Sequence, residues 1–136
     1  MYQLLEQLEG QTTREGFSLS VSVLQPDDDF DVLQVTVEGR DEFPVYISRD
    51  EQQLLCITYL WTESEVKPES RSELLEHLLE LNLPMPLSSF SKIGGQYVVF
   101  GALTPEPTTE ALIREIETLS DNTLTAVEAL QEYLQA

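Results

Sequence analysis

Leu54-Leu55-Cys56-Ile57-Thr58-Tyr59-Leu60-Trp61 decides how the rest of this chain is read. The stretch is almost continuously apolar, as expected for a central strand covered on both faces. Upstream of it, Arg49-Asp50-Glu51 makes a turn, and Phe43, Val45 and Ile47 share one face of a preceding strand. Pro44 has no ladder donor, which places it at an edge or a strand start. Gly39-Arg40-Asp41 turns the chain again, after Val32–Val37 with Leu33, Val35 and Val37 on one side. Phe17-Ser18-Leu19-Ser20-Val21-Ser22-Val23 alternates apolar residues with serine, the period of a half-buried strand. Pro26-Asp27-Asp28-Asp29 joins it to its neighbour. Connections this short favour an antiparallel meander. Before the meander, Leu4, Leu5 and Leu8 form the stripe of a short helix over Tyr2–Glu9, ended by Gly10.

Downstream, a charged loop from Thr62 to Glu69 leads into a second helix. Ser70 and Glu73 have capping-box spacing, and Leu74, Leu75, Leu78 and Leu79 supply a core-facing stripe. Asn82 and Pro84 end it. Ser88–Ile93, Gly94-Gly95 and Gln96–Leu103 read as a hairpin, its two glycines suited to a tight two-residue turn. A C-terminal helical region follows Thr104-Pro105-Glu106-Pro107, with Leu112, Ile113, Ile116 and Leu119 on one face. Ser120-Asp121-Asn122 is a potential break, yet Thr123, Val127, Leu130 and Leu134 continue the face. One long helix and two short ones both satisfy the pattern. The order predicts a single α+β domain over residues 1–136: an antiparallel sheet of about five or six strands flanked by an N-terminal, a central and a C-terminal helix.

Charge narrows the partners. Twenty-five Asp and Glu face 7 Lys and Arg, a formal net charge of -18. Nucleic-acid binding requires basic side chains against phosphates, and an anionic membrane surface repels the same excess. The longest apolar stretches, about eight residues, fall far short of the roughly 20 that span a bilayer, so no membrane insertion is expected. The N-terminus lacks the basic and apolar regions of a signal peptide. The lone Cys56 permits no internal disulfide, which fits a reducing cytoplasm.

Candidate chemistry is sparse. Asp27, Asp29, Asp31 and Glu38 match positions 1, 3, 5 and 12 of a calcium-binding EF-hand loop, but position 6, normally Gly, is Val32. The simpler reading is a solvated turn; a small calcium-binding protein or enzyme built on this turn is the alternative. His77 lies among Glu73, Glu76 and Glu80 without a second ligand or nucleophile. Cys56 has no basic neighbour that would make a reactive thiolate. Gly94-Gly95 lacks the spacing and Lys of a phosphate loop. The expectation is therefore no catalysis and no cofactor. Leu81-Asn82-Leu83-Pro84-Met85-Pro86-Leu87-Ser88-Ser89-Phe90 carries no charge, unusual in so acidic a chain. It is either a connector tucked against the sheet or an apolar recognition surface. On the second reading Trp61, Met85, Leu87 and Phe90 are the expected contact residues for a protein partner, with Tyr59 extending the surface.

Phe43-Pro44-Val45-Tyr46-Ile47-Ser48, Gln53-Leu54-Leu55-Cys56, Tyr59-Leu60-Trp61, Leu81–Phe90, Gly95–Leu103 and Leu119-Ser120-Asp121-Asn122-Thr123-Leu124 together resemble the YjfI-like family of small bacterial proteins of unknown function. The resemblance covers nearly the whole chain. It implies a bacterial cytoplasmic protein with no catalytic residue to carry over. It also implies, through gene neighbourhood, a partner similar to phage-shock protein A, a membrane-stress protein. The order of elements is similar to that of type III secretion chaperones and YbjN-like proteins, which are small, acidic, commonly dimeric and non-enzymatic. A protein-binding, chaperone-like adaptor is the function implied, with homodimerisation through the sheet or a helix as a further expectation.

Overall fold

The alternation of apolar and polar residues builds one antiparallel sheet. The computed structural model describes residues 2–24 and 32–135. Within them run α1 (Tyr2–Leu8), β1 (Leu19–Leu24), β2 (Val32–Val37), β3 (Val45–Arg49), β4 (Leu54–Thr62), α2 (Arg71–Asn82), β5 (Ser89–Ile93), β6 (Gln96–Leu103) and α3 (Thr109–Ala129). The six strands lie in the order β1-β2-β3-β4-β6-β5. The first four form the expected meander; β6 then pairs with β4, leaving β5 and β1 at the edges. The β5–β6 turn is the two-residue Gly94-Gly95, with Gly94 at φ 59° and Ile93 opposite Gln96. That positive φ costs glycine nothing and a β-carbon residue about 1 kcal/mol or more.

One face of the sheet is the core. Leu33, Val35 and Val37 from β2, Val45 and Ile47 from β3, Leu54 and Cys56 from β4 and Val99 from β6 point into it, all essentially without exposure. α3 lies across β3, β4 and β6, α1 packs on β1 and α3, and α2 packs against β5. The α3 stripe of Leu112, Ile116 and Leu119 is fully buried. Truncating one such leucine to alanine typically costs about 2–5 kcal/mol.

The opposite face corrects the reading of the central strand. Leu54–Trp61 was expected to be covered on both sides, but its burial alternates: Leu54, Cys56 and Thr58 are buried, Leu55 and Ile57 are half-buried, and Tyr59 is 45% exposed. The cross-strand neighbours on this second face are Tyr46 and Ser48 on β3, Val98, Phe100 and Ala102 on β6, and Ser89 and Ser91 on β5. The Tyr46 and Tyr59 rings meet at a tilt of 49°, with centroids 5.3 Å apart. An apolar run thus marks an interior position within the sheet (β4 is flanked by β3 and β6) without requiring a second covering layer.

The C-terminal region is one helix through Ser120-Asp121-Asn122. Its polar residues do not break it because each has a partner elsewhere. Arg40 Nη1 donates to Ser120 Oγ at 2.9 Å and pairs with Asp121 Oδ1 at 2.7 Å, while Asn122 Nδ2 donates to Pro86 O and Ser88 Oγ. Thr108 caps the start, accepting from the Ala111 backbone N–H at 3.1 Å. At α2 the predicted Ser70 capping box does not form. Pro68–Ser70 is already a single helical turn and holds Ser70 in helical rather than extended backbone, where its hydroxyl cannot reach the helix amides. Among the described residues, no helix is long and apolar enough to cross a membrane.

Candidate functional site

The uncharged Leu81–Phe90 segment divides into an exposed part and a core part. Leu83 is 92% exposed and Leu87 54%, whereas Ser88 and Phe90 are buried. Met85 is half-buried. The proline pair explains the exposure. Pro84 and Pro86 supply no backbone N–H and cannot continue α2, so the chain leaves the helix through two tight turns, Met85 N–H donating to Leu81 O at 3.2 Å and Ser88 N–H to Pro86 O at 2.8 Å, which leave Leu83 and Leu87 on the outside. It is anchored from α3: Asn122 Nδ2 holds Pro86 O at 2.8 Å and Ser88 Oγ at 3.0 Å. At its other end Asn82 Oδ1 accepts the Phe90 backbone N–H at 2.7 Å, closing off an edge donor of β5. Between these anchors Leu87 adopts φ 63°, a left-handed conformation that is uncommon for a branched side chain. Such strain persists where neighbours over-determine it, often at ligand-binding segments.

Two apolar grooves flank this ridge. One, of about 230 Å³, runs between the segment and α3 and is lined by Leu81, Pro84, Met85, Pro86 and Phe90 on one side and Asn122, Thr125, Ala126 and Ala129 on the other. The second, of about 290 Å³, lies between α2 and β5, with Leu75, Leu78, Leu79 and Asn82 facing Phe90, Ser91, Lys92 and Tyr97. Phe90 is common to both. Leu79, 73% exposed, lines the second groove and extends its apolar surface.

The expected contact residues therefore separate. Met85 lines a groove, Leu87 projects to solvent, and Phe90 is the shared floor. Trp61 is not on this surface: it is 4% exposed, and its ring lies 6.0 Å from that of Tyr97 in the core. The structure corrects the expectation that it is an exposed anchor. A bulge between Tyr59 and Thr62 in the β4–β6 pairing turns it inward. Leu83, 92% exposed, lies in the uncharged segment expected to be a connector or a recognition surface, whereas Leu79, expected in the core-facing stripe of α2, is 73% exposed, which corrects that expectation.

The acidic turn Asp27, Asp29 and Asp31 lies outside the described residues. Glu38, its expected fourth member, is exposed and accepts the Ser18 backbone N–H at 2.9 Å. Glu15, Glu117 and Asp121 bring carboxylate oxygens within 4.8 Å of one another, but Arg14 and Arg40 answer that charge. His77 contacts Tyr133 Oη through Nδ1 at 3.1 Å, a structural role that ties α2 to the C-terminal turn. Cys56 is buried, and burial first, with Glu115 nearby second, pushes its thiol far above the ordinary range. Burial of this kind disfavours the thiolate on which cysteine reactivity depends.

Two acidic residues have strongly shifted protonation, and sequence reading singled out neither. Glu63 accepts from Lys92 Nζ at 2.8 Å, Arg71 Nε at 3.0 Å and Tyr97 Oη at 3.1 Å. The Lys92 bond above all, then that of Arg71, lowers its carboxyl from 4.5 to about 2. Glu115 shows the reverse. It is 1% exposed on the sheet-facing side of α3, and its Oε1 has no hydrogen-bond partner. It occupies the space that a β-carbon at Gly101 would fill, beside the Leu87 carbonyl oxygen. Burial raises its pKa to about 7. Gly101 is thus required by close approach, the one signal in the sequence that a side chain from another element reaches β6 there.

A family model described as an uncharacterised protein conserved in bacteria (DUF2170) matches residues 1–134. No curated protein matches the chain. Among solved structures, a chain of the heterodimeric complex ExoU–SpcU from the type III secretion system of Pseudomonas aeruginosa is similar in fold. Its TM-score is 0.52 at 17% identity, with 80% of this chain and 81% of that chain covered. The α+β architecture is therefore shared with a chain of this type III secretion complex, in keeping with the order of elements.

Proposed function

This chain belongs to the DUF2170 family of uncharacterised bacterial proteins, and from that premise we propose that it is a non-enzymatic, chaperone-like adaptor that takes apolar side chains of a protein partner into the grooves beside Phe90. The observation that carries this reading is an uncharged apolar ridge, Leu79, Leu83 and Leu87, standing exposed beside two preformed grooves on a chain of net charge -18. Contiguous apolar surface of this kind marks interaction sites, and methionine at a groove wall adapts to varied partners. The acidic body would steer basic partners toward the ridge and repel acidic ones. The fold likeness to a chain of a heterodimeric secretion complex supports protein binding as the class of function. Two of the residues that most often carry chemistry are spoken for: Cys56 is buried, and His77 is engaged with Tyr133. The sequence resemblance makes a phage-shock-protein-A-like membrane-stress protein the partner to test first, with the cytoplasm as the place of encounter.

The test is calorimetric titration of the purified chain with a phage-shock-protein-A-like protein from the same genome. Leu83→Glu and Leu87→Glu should each weaken binding about tenfold or more, the cost of burying a charge at an apolar contact, with circular dichroism unchanged because both side chains are exposed. Absence of binding would remove that partner. Binding that Leu83→Glu leaves intact would remove the ridge.

A further inference from the structure

The ridge meets α3 at two places, one at the surface and one buried. At the surface, Asn122 Nδ2 holds Pro86 O and Ser88 Oγ. Glu115 lies seven residues earlier on α3, about two turns along the same face. Its side chain fills the space that Gly101 leaves by having none. There its Oε1 and the Leu87 carbonyl oxygen border the same small volume: a β-carbon on Gly101 would overlap the first and stand 3.0 Å from the second. Both oxygens want a donor. Oε1 is buried without a hydrogen-bond partner, and among the described residues no turn N–H or side chain donates to Leu87 O. Leu87 is also, among the described residues, the single non-glycine at positive φ, a conformation that persists only where its surroundings hold it.

An ionised carboxylate only accepts, as a carbonyl does, whereas a protonated carboxyl has one O–H to donate. Two buried acceptors side by side are unfavourable, and one proton between them makes a hydrogen bond. We propose that Glu115 is a proton latch for the ridge: protonated, it donates from Oε1 to the Leu87 carbonyl and keeps Leu87 projecting to solvent; ionised, its proton lost to water, it repels that carbonyl and frees the segment from 83 to 88. The latch regulates the adaptor site proposed above, so its effect on a partner rests on that reading, while its effect on the ridge does not. Among the described residues no charged group faces the pair. Cys56 of β4, opposite Gly101 in the ladder, is held neutral by burial. Tyr97 of β6 donates to Glu63, and Arg49 of β3 to Pro105 O. Glu6 and Glu9 of α1 and Arg114 of α3 are exposed. Glu117 and Asp121, also on α3, face Arg14 and Arg40. Burial therefore acts alone on Glu115, placing its ionisation at about 7 against an ordinary 4.5. A carboxyl with the first value when latched and the second when released shifts the balance toward release by up to about 300-fold between those two pH values.

Carbon-detected NMR titration of the full chain, from about pH 5.5 to about pH 8.5, tests the latch without a partner. The Glu115 Cδ and Leu87 carbonyl resonances should move together with a midpoint of about 7, and the Leu87 and Ser88 amides should lose order above it. In Glu115→Gln, whose amide can donate to Leu87 O at every pH, the Leu87 carbonyl should not titrate. A Glu115 titration that Leu87 does not follow overturns the latch. So does a Glu115 midpoint near 4.5, or a Leu87 titration that persists in the glutamine variant. Calorimetry with the phage-shock-protein-A-like protein then tests the regulation. Relative to Glu115→Gln, wild-type affinity should fall about tenfold from pH 5.5 to pH 8, because the fraction of chains that present Leu87 falls. A linked titration with an affinity ratio that stays flat overturns the regulatory role. A linked titration with no binding at any pH supports the latch and removes the adaptor reading instead.

Discussion

Replacing Glu115 with glutamine should stabilise the protein at alkaline pH and leave it nearly unchanged in mild acid. Glu115 is 1% exposed, its Oε1 has no partner, and burial raises its pKa from 4.5 to about 7. The folded state therefore holds a proton that the unfolded state has lost between these two values. The sign follows from linkage: where the native state binds more protons, stability falls as pH rises. The loss begins near the ordinary carboxylate pKa and is complete above about pH 7. A shift of about 2.5 units at 1.36 kcal/mol each corresponds to about 3 kcal/mol, or about 10 °C in melting temperature for a domain of this size. Glutamine is nearly isosteric and neutral at every pH. The difference in Tm, variant minus wild type, should be near zero at pH 4.5 and rise through pH 5–7. It should level off at about 10 °C by pH 8.5. Using the difference removes the general repulsion among the other carboxylates, which both proteins share. Parallel melting curves across the whole range would refute the reasoning, since they would mean that the carboxyl does not titrate differently in the folded chain.

Other substitutions test other parts of the structure. Gly101→Ala should destabilise by about 1–3 kcal/mol, because the new methyl would overlap the Glu115 carboxyl; adding Glu115→Ala should recover part of the loss in chemical denaturation. Leu87→Gly should raise stability by about 1 kcal/mol by relieving the φ 63° backbone while weakening partner binding, a separation that a purely structural segment would not show. Glu63→Gln should destabilise at neutral pH, and the effect should fade as pH falls toward about 2, the value to which Lys92 and Arg71 depress its carboxyl, read from acid-denaturation curves. Calcium titration by calorimetry should be silent; micromolar binding abolished by Asp29→Ala would revive the acidic-turn reading.

Much of the sheet was legible because alternation reports directly on faces. Leu33, Val35 and Val37 were placed on one side from spacing alone, and all three are in the core. The central stretch misled on coverage because its apolar second face is exposed, and a run of apolar residues does not distinguish a covering helix from an open face. The Asp121 ambiguity was unresolvable locally: the helix continues because Arg40, from eighty-one residues earlier, supplies the partner that would otherwise favour a break. Trp61 was misplaced because a bulge shifts the two-residue period, and no local residue announces it. Glu115 escaped notice because its burial depends on Gly101 of another element. The Leu81–Phe90 segment stood out by its lack of charge, and that signal correctly marked a segment with exposed apolar residues, although it could not say which of them face solvent.

Site-specific photo-crosslinking in the native host tests most directly whether this protein acts by contact through its ridge. A photoreactive residue at position 83 should yield one dominant heterologous adduct, identifiable by mass spectrometry, whereas the same residue at the exposed position 69 should not. No adduct at position 83, or the same adducts at both positions, would contradict the account.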